Sequence, residues 1–414
     1  MAKNKANKEP INNKLDVSYS YSDVGLREFE NMLKGRMYYE APEITGRICG
    51  MCSAAHTIAA VSAIEKAFSI KVTKQTKTLR NILLLSSIFR SHIFHLYFHS
   101  LPNYMGFSNS VDMIPEHLTE FKHALKLWQL SSRIIKIVSG REVHCITPVI
   151  GGFASIPSKD QVSVIIKGIK NAKDDAMKTS KIFSKLKYPK FERKTRYVSL
   201  NFQERFNFID GTLIASNGVR TRQESYKKWL VETVNEQSLT RELWLKNKSF
   251  MVGALARLNN NLKSYSRNAK KAIKNSRIKF PSYNPYVNVF AKSVEIVHIL
   301  DCLLELLLSM EIRDEKPLDA KAKKGTGISI IESPGGILIH EYDIDSKGVI
   351  NRASIITPAT MNLNSVNDDI TELFPLLVEQ HKNSSAILNE FKKLIGAYDP
   401  CISSSKHVIK VDNV

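Results

Sequence analysis

Cysteine is scarce in this chain, with five residues among 414, an odd number. A secreted domain held together by disulfides is therefore excluded, and a reducing compartment is expected. The N-terminal residues 1–16, MAKNKANKEPINNKLD, lack the apolar segment and the small-residue cleavage site of a secretory signal. We therefore expect a cytoplasmic protein whose first 16 residues form a flexible basic tail.

Long apolar runs are also missing. The most apolar segment, 294–310, is interrupted by Glu295, Asp301 and Glu305. A transmembrane helix needs about 18 or more apolar residues in succession. This segment is therefore predicted to be a core helix of a soluble protein.

Acidic residues are too few to balance the basic ones, which leaves a net charge of +20 and a pI near 9.6. Much of the excess lies in 163–197 and 262–279, where the lysines are spread over helical periods. The chain has no RNP-type aromatic motif, zinc finger or basic region followed by heptads, so we expect no nucleic-acid partner. A solvated face, or a face that meets an acidic partner or an anionic membrane surface, explains the charge better.

Hydrophobic periodicity predicts a chain that is predominantly α, with small β elements near both ends. Residues 17–36 begin with strand-like alternation and become helical. A Pro-Gly-Gly break divides 328–350 into two strands of a hairpin-like unit. Helices are predicted from the first cysteine motif onward and over 74–101 (closed by Pro102), 114–139, 158–187, 250–275, 291–312 and 366–395.

The cysteine pair Cys49 and Cys52, in RICGMCSAAH, has the C-x-x-C spacing that lets two thiolates face one metal ion. Arg47 and a helix N-terminus at this position would lower the pKa of these thiols. The other promising donor is Cys401 in DPCISSSKH, whereas Cys145 and Cys302 stand alone. The spacing by itself also fits a redox pair or half of a zinc site.

The segments around these cysteines resemble the two metal-binding motifs of the nickel–iron hydrogenase large subunit. The resemblance covers roughly residues 26–410 in family order and favours the cytoplasmic, multi-subunit branch. It implies one large hydrogenase large-subunit-like domain over 17–407, related to the quinone-site subunit of respiratory complex I, and a C-terminal extension over 408–414. The other segments that resemble family motifs are FENMLKGR, SSIFRSHIFHLYFHSLP, SGREVHCITPVIGG, ESPGGILIHEY and TPATMN.

The resemblance implies a ligand set for nickel and iron. Cys49 and Cys401 match the terminal nickel ligands, and Cys52 matches a cysteine that bridges nickel to an iron carrying cyanide and carbon monoxide. The fourth cysteine position is occupied by Ser404. A serine hydroxyl is a harder donor with a far higher pKa, so Ser404 is a weak ligand.

Residues around the metal depart from the family pattern as well. The arginine that donates to a cyanide falls on Gly335, and the hydroxyl residue that binds the other cyanide falls on Ala359. The arginine before Ala-Tyr-Asp-Pro-Cys aligns with Gly396, and the N-terminal Glu-Gly-His element, with its proton-transfer glutamate, is absent from 1–16. Because such donors orient and tune a metal, their joint loss predicts an altered or lost iron unit.

Other family positions are kept. Glu30 and His407 match the carboxylate and imidazole ligands of a structural magnesium ion, although Glu30 also fits an exposed helix carboxylate. His56 matches a histidine that hydrogen-bonds near the cysteines, but a core histidine with satisfied hydrogen bonds would look the same. Packing or salt-bridge roles suit the remaining family counterparts, His92, Arg141 and His144.

Three functions follow. The first is a diverged hydrogenase-like component of a redox complex, whose partners would be further redox subunits together with an iron–sulfur small subunit. The second is an active hydrogenase that oxidises hydrogen or reduces protons with Ser404 in its ligand set. The third is a zinc or nickel protein with a Cys₃His site. The extension 408–414 is either cleaved on metal insertion, as in the family, or retained.

Overall fold

The computed structural model describes residues 15–202, 207–234, 240–380, 384–401 and 406–413, most of which are helical. The predominantly α architecture expected from the sequence is confirmed. The helices are α1 Val24–Leu33, α2 Ala41–Thr45, α3 Ser53–Phe68, α4 Lys74–Phe94, α5 Leu101–Met105, α6 Ser110–Met113, α7 Leu118–Ser139, α8 Lys159–Ser184, α9 Ala254–Asn261, α10 Arg267–Lys274, α11 Asn288–Ser309, α12 Pro358–Gln380 and α13 Ser384–Tyr398.

The strands form small, separate sheets around the helices. A three-stranded antiparallel sheet has the order β10-β11-β12, and β1 pairs with β13. The segment 188–250 contributes the β6-β5-β4-β9 sheet and the β7-β8 hairpin. The strands are β1 Leu15–Ser22, β2 Pro148–Val149, β3 Gly152–Phe153, β4 Arg196–Leu200, β5 Leu213–Ala215, β6 Arg220–Thr221, β7 Leu230–Val234, β8 Arg241–Leu245, β9 Phe250–Met251, β10 Gly325–Ser333, β11 Gly336–Ile344, β12 Ile350–Ile356 and β13 Lys406–Asn413.

Helix α3 packs directly on strands β10 and β11. Its alanine-rich face allows this, and so do two glycines of β10. A Cβ atom at Gly327 would lie 1.8 Å from the carbonyl oxygen of Ala63, and one at Gly325 would lie 2.5 Å from that of Ala67. The close contact holds the start of α3, and hence the first cysteine motif, against the β10-β11 turn.

Several predicted boundaries differ from the structure. The helix predicted over 74–101 changes at Phe94 into a π-helical turn, and Pro102 lies in the first turn of α5, where its missing N–H costs little. The hairpin predicted over 328–350 gains a third strand, β12. The helix predicted over 366–395 is two helices, α12 and α13.

The apolar segment 294–310 is the core helix α11, buried along most of its length. Within the described residues, no helix is both long and apolar enough to cross a membrane. The lysine-rich helices α8 and α10 contact each other and expose most of their basic side chains.

Strands β1 and β13 join the two ends of the described chain in one antiparallel ladder that runs from the Leu15–Asn413 pair to the Ser22–Lys406 pair. β1 begins at Leu15, so it includes the last two residues of the segment 1–16 that was predicted to be a tail. Six of its eight register pairs use residues 408–413, so this part of the extension is ordered as a strand.

Candidate metal centre

Three thiols from opposite ends of the sequence meet at one point. Cys49 and Cys52 lie in the turn between α2 and α3, and Cys401 follows α13. Their sulfur atoms all lie within 4.8 Å of one another. Cys49 is buried and the other two are partly buried, so this group could hold a metal ion.

Helix α3 begins directly after Cys52, which places two thiols at a helix N-terminus as predicted. The Cys52 backbone N–H donates a hydrogen bond of 3.4 Å to Cys49 Sγ. In the absence of a cation, the hydrogen bond with Cys401 and burial raise the pKa of the Cys49 thiol to about 11. Hydrogen bonds with Cys401 and Cys49, and then burial, raise the pKa of Cys52 well above its ordinary value. A bound metal ion would reverse this shift, because coordinated thiols are deprotonated.

A cavity of about 380 Å³ opens beside the three sulfur atoms. Its walls come from the first cysteine motif, α4 and the following π turn, the β10-β11 turn, the start of α12 and the end of α13. Gly335, Ala359 and Gly396, three of the positions that depart from the family pattern, all line it. The departures therefore face one space, next to the thiols.

The wall at these positions offers no side-chain hydrogen-bond donor. A Cβ atom at Gly335 would lie 3.3 Å from Pro358 Cβ, so the proline side chain packs tightly beside the place of the missing side chain. Ala359 packs into a small apolar cluster with Tyr21 and Leu363.

The neighbouring hydroxyls of Ser333 and Thr357 also line the cavity, but they bond to the Gly336 carbonyl oxygen and to the Thr360 hydroxyl. The wall therefore lacks, at the positions of Gly335 and Ala359, the donors that the nitrogen atoms of an iron-bound cyanide need. The three thiols do fit one soft or borderline metal ion.

Two of the polar residues that line the cavity are Asp399 and His95. Asp399 Oδ2 pairs with the buried Lys292 at 2.5 Å, and its Oδ1 lies 3.7 Å from His95 Nε2. Burial raises the pKa of Asp399, but the charges of His95 and Lys292 outweigh burial and hold that pKa below its usual range. His95 Nε2 also donates a 2.7 Å hydrogen bond to the carbonyl oxygen of Gly396.

His56 lines the cavity and belongs to a buried hydrogen-bonded chain. Its Nδ1 lies 3.0 Å from His340 Nε2, and His340 Nδ1 lies 2.7 Å from the Tyr342 hydroxyl. Burial lowers the pKa of His56 to about 4, and burial beside His56 lowers that of His340 further. Both rings are therefore neutral at pH 7 and have one nitrogen each to donate and one to accept.

The Arg47 side chain points away from the thiols. Its guanidinium pairs with Glu43 at 3.3 Å and lines a second, outer cavity. The basic side chain that acts electrostatically on Cys49 is Arg90 of α4, which is buried and donates to the carbonyl oxygen of Glu142. The one sign of this role in the sequence was the position of Arg90 inside an apolar helical segment.

Glu30 lies against an arginine. Its Oε1 accepts hydrogen bonds from Ile355 N at 2.6 Å and from Arg241 Nη1 at 2.8 Å. Arg241 is buried and also donates to Asp23 Oδ2 at 2.9 Å. A guanidinium therefore already neutralises the carboxylate that was predicted to bind magnesium. His407 lies opposite Tyr21 in the β1-β13 ladder, and the magnesium site remains a prediction.

The remaining predicted residues divide into three groups. Ser404 lies outside the described residues. His92 and His144 make structural contacts, to Glu295 at 2.7 Å and to the Gly46 carbonyl oxygen at 3.0 Å. Arg141 and Cys145 line the outer cavity, and Cys302 is buried in α11, so neither of these cysteines joins the cluster.

Comparisons with known proteins agree with this structure. The protein family described as nickel-dependent hydrogenase matches residues 27–109. The alpha chain of sulfhydrogenase 1 from Pyrococcus furiosus is 32% identical over 395 residues, which are 94% of this chain and 91% of that protein. The alpha chain of sulfhydrogenase 2 from the same organism is 28% identical over 390 residues, which are 94% of this chain and 92% of that protein.

Solved structures share the fold. The crystal structure of an NAD⁺-reducing [NiFe]-hydrogenase in the H₂-reduced state superposes with a TM-score of 0.82 at 21% identity, covering 91% of this chain and 90% of that chain. A [NiFeSe] hydrogenase variant from Desulfovibrio vulgaris Hildenborough gives a TM-score of 0.74 at 20% identity, covering 91% of each. The chain belongs to the nickel-dependent hydrogenase family, as a homologue of its large subunits.

Proposed function

We propose that this chain is a large-subunit component of a redox complex, with a metal centre that lacks the iron cyanide and carbonyl unit and does not turn over hydrogen. The observation that carries the proposal is the cavity wall at Gly335 and Ala359, which faces the thiols without a side-chain donor. The alternative of an active hydrogenase is supported by the meeting of Cys49, Cys52 and Cys401, which are kept as a group.

The chemistry of the wall favours the proposal over the alternative. Cyanide ligands on iron carry their charge on nitrogen, and in a buried site that charge needs hydrogen-bond donors. Here the cavity wall is apolar at both places, with the Pro358 side chain packed beside Gly335 and Ala359 packed in a small cluster with Tyr21 and Leu363. The three thiols retain the donor type that nickel and zinc prefer, so the centre is reduced to a simpler metal site.

The decisive experiment is metal analysis of the chain purified with its bound partners, combined with infrared spectroscopy and hydrogen–deuterium exchange from D₂. We expect one metal ion per chain or fewer, no bands of metal-bound cyanide or carbon monoxide, and no exchange activity. Cyanide and carbonyl bands together with exchange would establish the active hydrogenase and overturn the proposal. A known active hydrogenase purified in the same way is the positive control.

A partner surface lies beside the first cysteine motif. The outer cavity, of about 890 Å³, is lined by Arg47 and Arg141 and by the exposed apolar side chains of Tyr39, Ile146 and Leu318. Exposed apolar groups beside charged ones are typical of protein interfaces. Because the two sulfhydrogenase relatives named above are alpha subunits, and so belong to larger assemblies, we assign this surface to an iron–sulfur small subunit.

This assignment predicts that Ile146→Glu releases the partner during affinity purification, because it buries a charge in the interface. Val164→Glu, at a similarly exposed position on α8, is the matched control and should leave the complex intact. Equal recovery of partner subunits with both variants would contradict the assignment.

A further inference from the structure

One cavity histidine has an open nitrogen. His95 Nε2 donates to the Gly396 carbonyl oxygen and its Nδ1 lies 3.3 Å from Ser100 Oγ, so both nitrogens of His95 are engaged. His99 is exposed and its ring packs against Phe94. His56 is only 2% exposed, and within the described residues the one hydrogen-bond partner of its imidazole ring is His340, through Nδ1. Its Nε2 atom is left for the cavity.

The hydrogen bonds behind His56 hold its ring and link its tautomer to that of His340. His340 uses both ring nitrogens, since its Nδ1 lies 2.7 Å from the Tyr342 hydroxyl and its Nε2 lies 3.0 Å from His56 Nδ1. Each hydroxyl or neutral ring has a single proton to donate, so the direction of one bond sets the direction of the next. In one of the two directions, His340 Nδ1–H donates to the Tyr342 hydroxyl.

The same argument reaches the cavity. With its proton on Nδ1, His340 has a lone pair on Nε2, which accepts from His56 Nδ1–H at 3.0 Å. His56 Nε2 then carries a lone pair and no proton. A metal-binding histidine in proteins is prepared in this way, because it donates its other N–H to a fixed acceptor that sets its tautomer and orientation.

We propose that His56 is the fourth ligand of a single divalent ion, zinc or nickel, held by Cys49, Cys52 and Cys401. The inference rests on the proposed function, since the fourth thiolate of the family is replaced by Ser404 and the wall does not suit the iron unit. Four donors of the Cys₃His type make a closed tetrahedral site. His340 and Tyr342 act as positioning residues.

A bound ion would bring His56 and the thiols together. His56 Nε2 lies outside the group of sulfur atoms that are within 4.8 Å of one another, although His56 and the three cysteines line the same cavity. Zinc–sulfur and zinc–nitrogen bonds are about 2.3 and 2.0–2.1 Å long, so a Cys₃His site requires His56 to approach the sulfur atoms. Deprotonation of the thiols replaces their mutual hydrogen bonds with bonds to the ion.

The test is anaerobic titration of the full-length, metal-free chain, with its bound partners, with Zn²⁺ and with Co²⁺ as a spectroscopic probe. We expect a 1:1 complex, tetrahedral Co²⁺ absorption with thiolate charge-transfer bands, and three sulfur atoms plus one nitrogen in the zinc X-ray absorption spectrum. His56→Gln should lose the nitrogen and at least 10-fold in affinity, and His340→Phe should lose roughly 10–100-fold while keeping the same ligands.

The matched control is His99→Gln, a histidine that lines the same cavity outside the hydrogen-bonded chain. It should bind Zn²⁺ like the unmodified protein, and thermal unfolding of every variant shows whether it is folded. A site with three sulfur atoms and one oxygen, unchanged in affinity by His56→Gln and His340→Phe, would overturn the inference and leave the proposed function standing. Cyanide and carbonyl bands in the infrared spectrum would overturn both.

Discussion

At the scale of single residues, the structure shows how a buried carboxylate beside the thiols is kept ionised. Asp399 precedes the Pro400-Cys401 turn and lines the cavity. Its main cation is Lys292 of α11, which is 1% exposed at its side chain. Because α11 is apolar on most sides, a charge buried there is costly. The pairing with Asp399 is what makes the Lys292 charge tolerable.

Lys292→Met tests that pairing. The substitution keeps the length and the apolar contacts of the side chain but leaves Asp399 with His95 alone. We expect a loss of about 3 kcal/mol in the free energy of unfolding, because removing one partner leaves a buried charge uncompensated. The measurement is the urea unfolding midpoint at pH 7.

The control for this prediction is Lys393→Met. Lys393 pairs with Glu390 at 2.8 Å one helical turn away, and both side chains are about one-fifth exposed. Its loss should cost less than about 1 kcal/mol. If both variants unfold at the same urea concentration, Lys292 does not have the role assigned to it.

At the scale of elements, the position of the metal centre depends on how closely α3 lies on the β10-β11 hairpin. This contact places His56 of the helix against His340 of β11 and Cys49 and Cys52 against the hairpin turn. Glycine at 327 is what makes the short distance possible, since the Ala63 carbonyl oxygen occupies the place of a side chain there.

Gly327→Ala should therefore push α3 off the sheet. The added Cβ atom would stand 1.8 Å from a backbone oxygen that cannot rotate away. We expect a destabilisation of about 3 kcal/mol, at the upper end for overpacking, together with weaker metal binding. Differential scanning calorimetry and the Co²⁺ titration measure the two effects.

The control is Gly25→Ala in α1, which has open space around it and should be neutral or slightly stabilising. A Gly327→Ala protein as stable as the control would show that the two elements move apart freely.

The helices and the hairpin could be predicted from local sequence, because amphipathic periods and glycine or proline breaks are local signals. The pairing of Cys49 with Cys401 came from motif resemblance alone, because nothing local links positions so far apart. Long-range pairing was missed in the β1-β13 ladder for the same reason, because its two strands lie at opposite ends of the sequence. Strand β12 was missed although a short turn over 345–349 joins it to β11. His340 was missed as the partner of His56, because the contact exists only once α3 is packed on β11.

At the scale of the whole molecule, the two ends of the chain are tied together. A magnesium ion between Glu30 and His407 was predicted to do this. In the structure, Arg241 neutralises Glu30, and the β1-β13 ladder supplies a direct link through the backbone. Residues 408–413 are thus part of the fold, so we expect the purified protein to retain them and to show the full-length mass.

Truncation after His407 is the matching test of stability. It removes six of the eight register pairs of the ladder. At about 0.5–1 kcal/mol for each backbone hydrogen bond lost, roughly half a dozen bonds amount to about 3–6 kcal/mol. The thermal midpoint should fall by several degrees, and β1 should become open to proteolysis.

Truncation after Asp412, which removes one register pair, is the control and should change little. If the chain ending at His407 is as stable as this control, or if the natural protein is found cut there, the ladder is a feature of an immature form and the tail is a maturation signal. Retention with loss of stability on truncation would instead make the extension a structural strand of the mature protein.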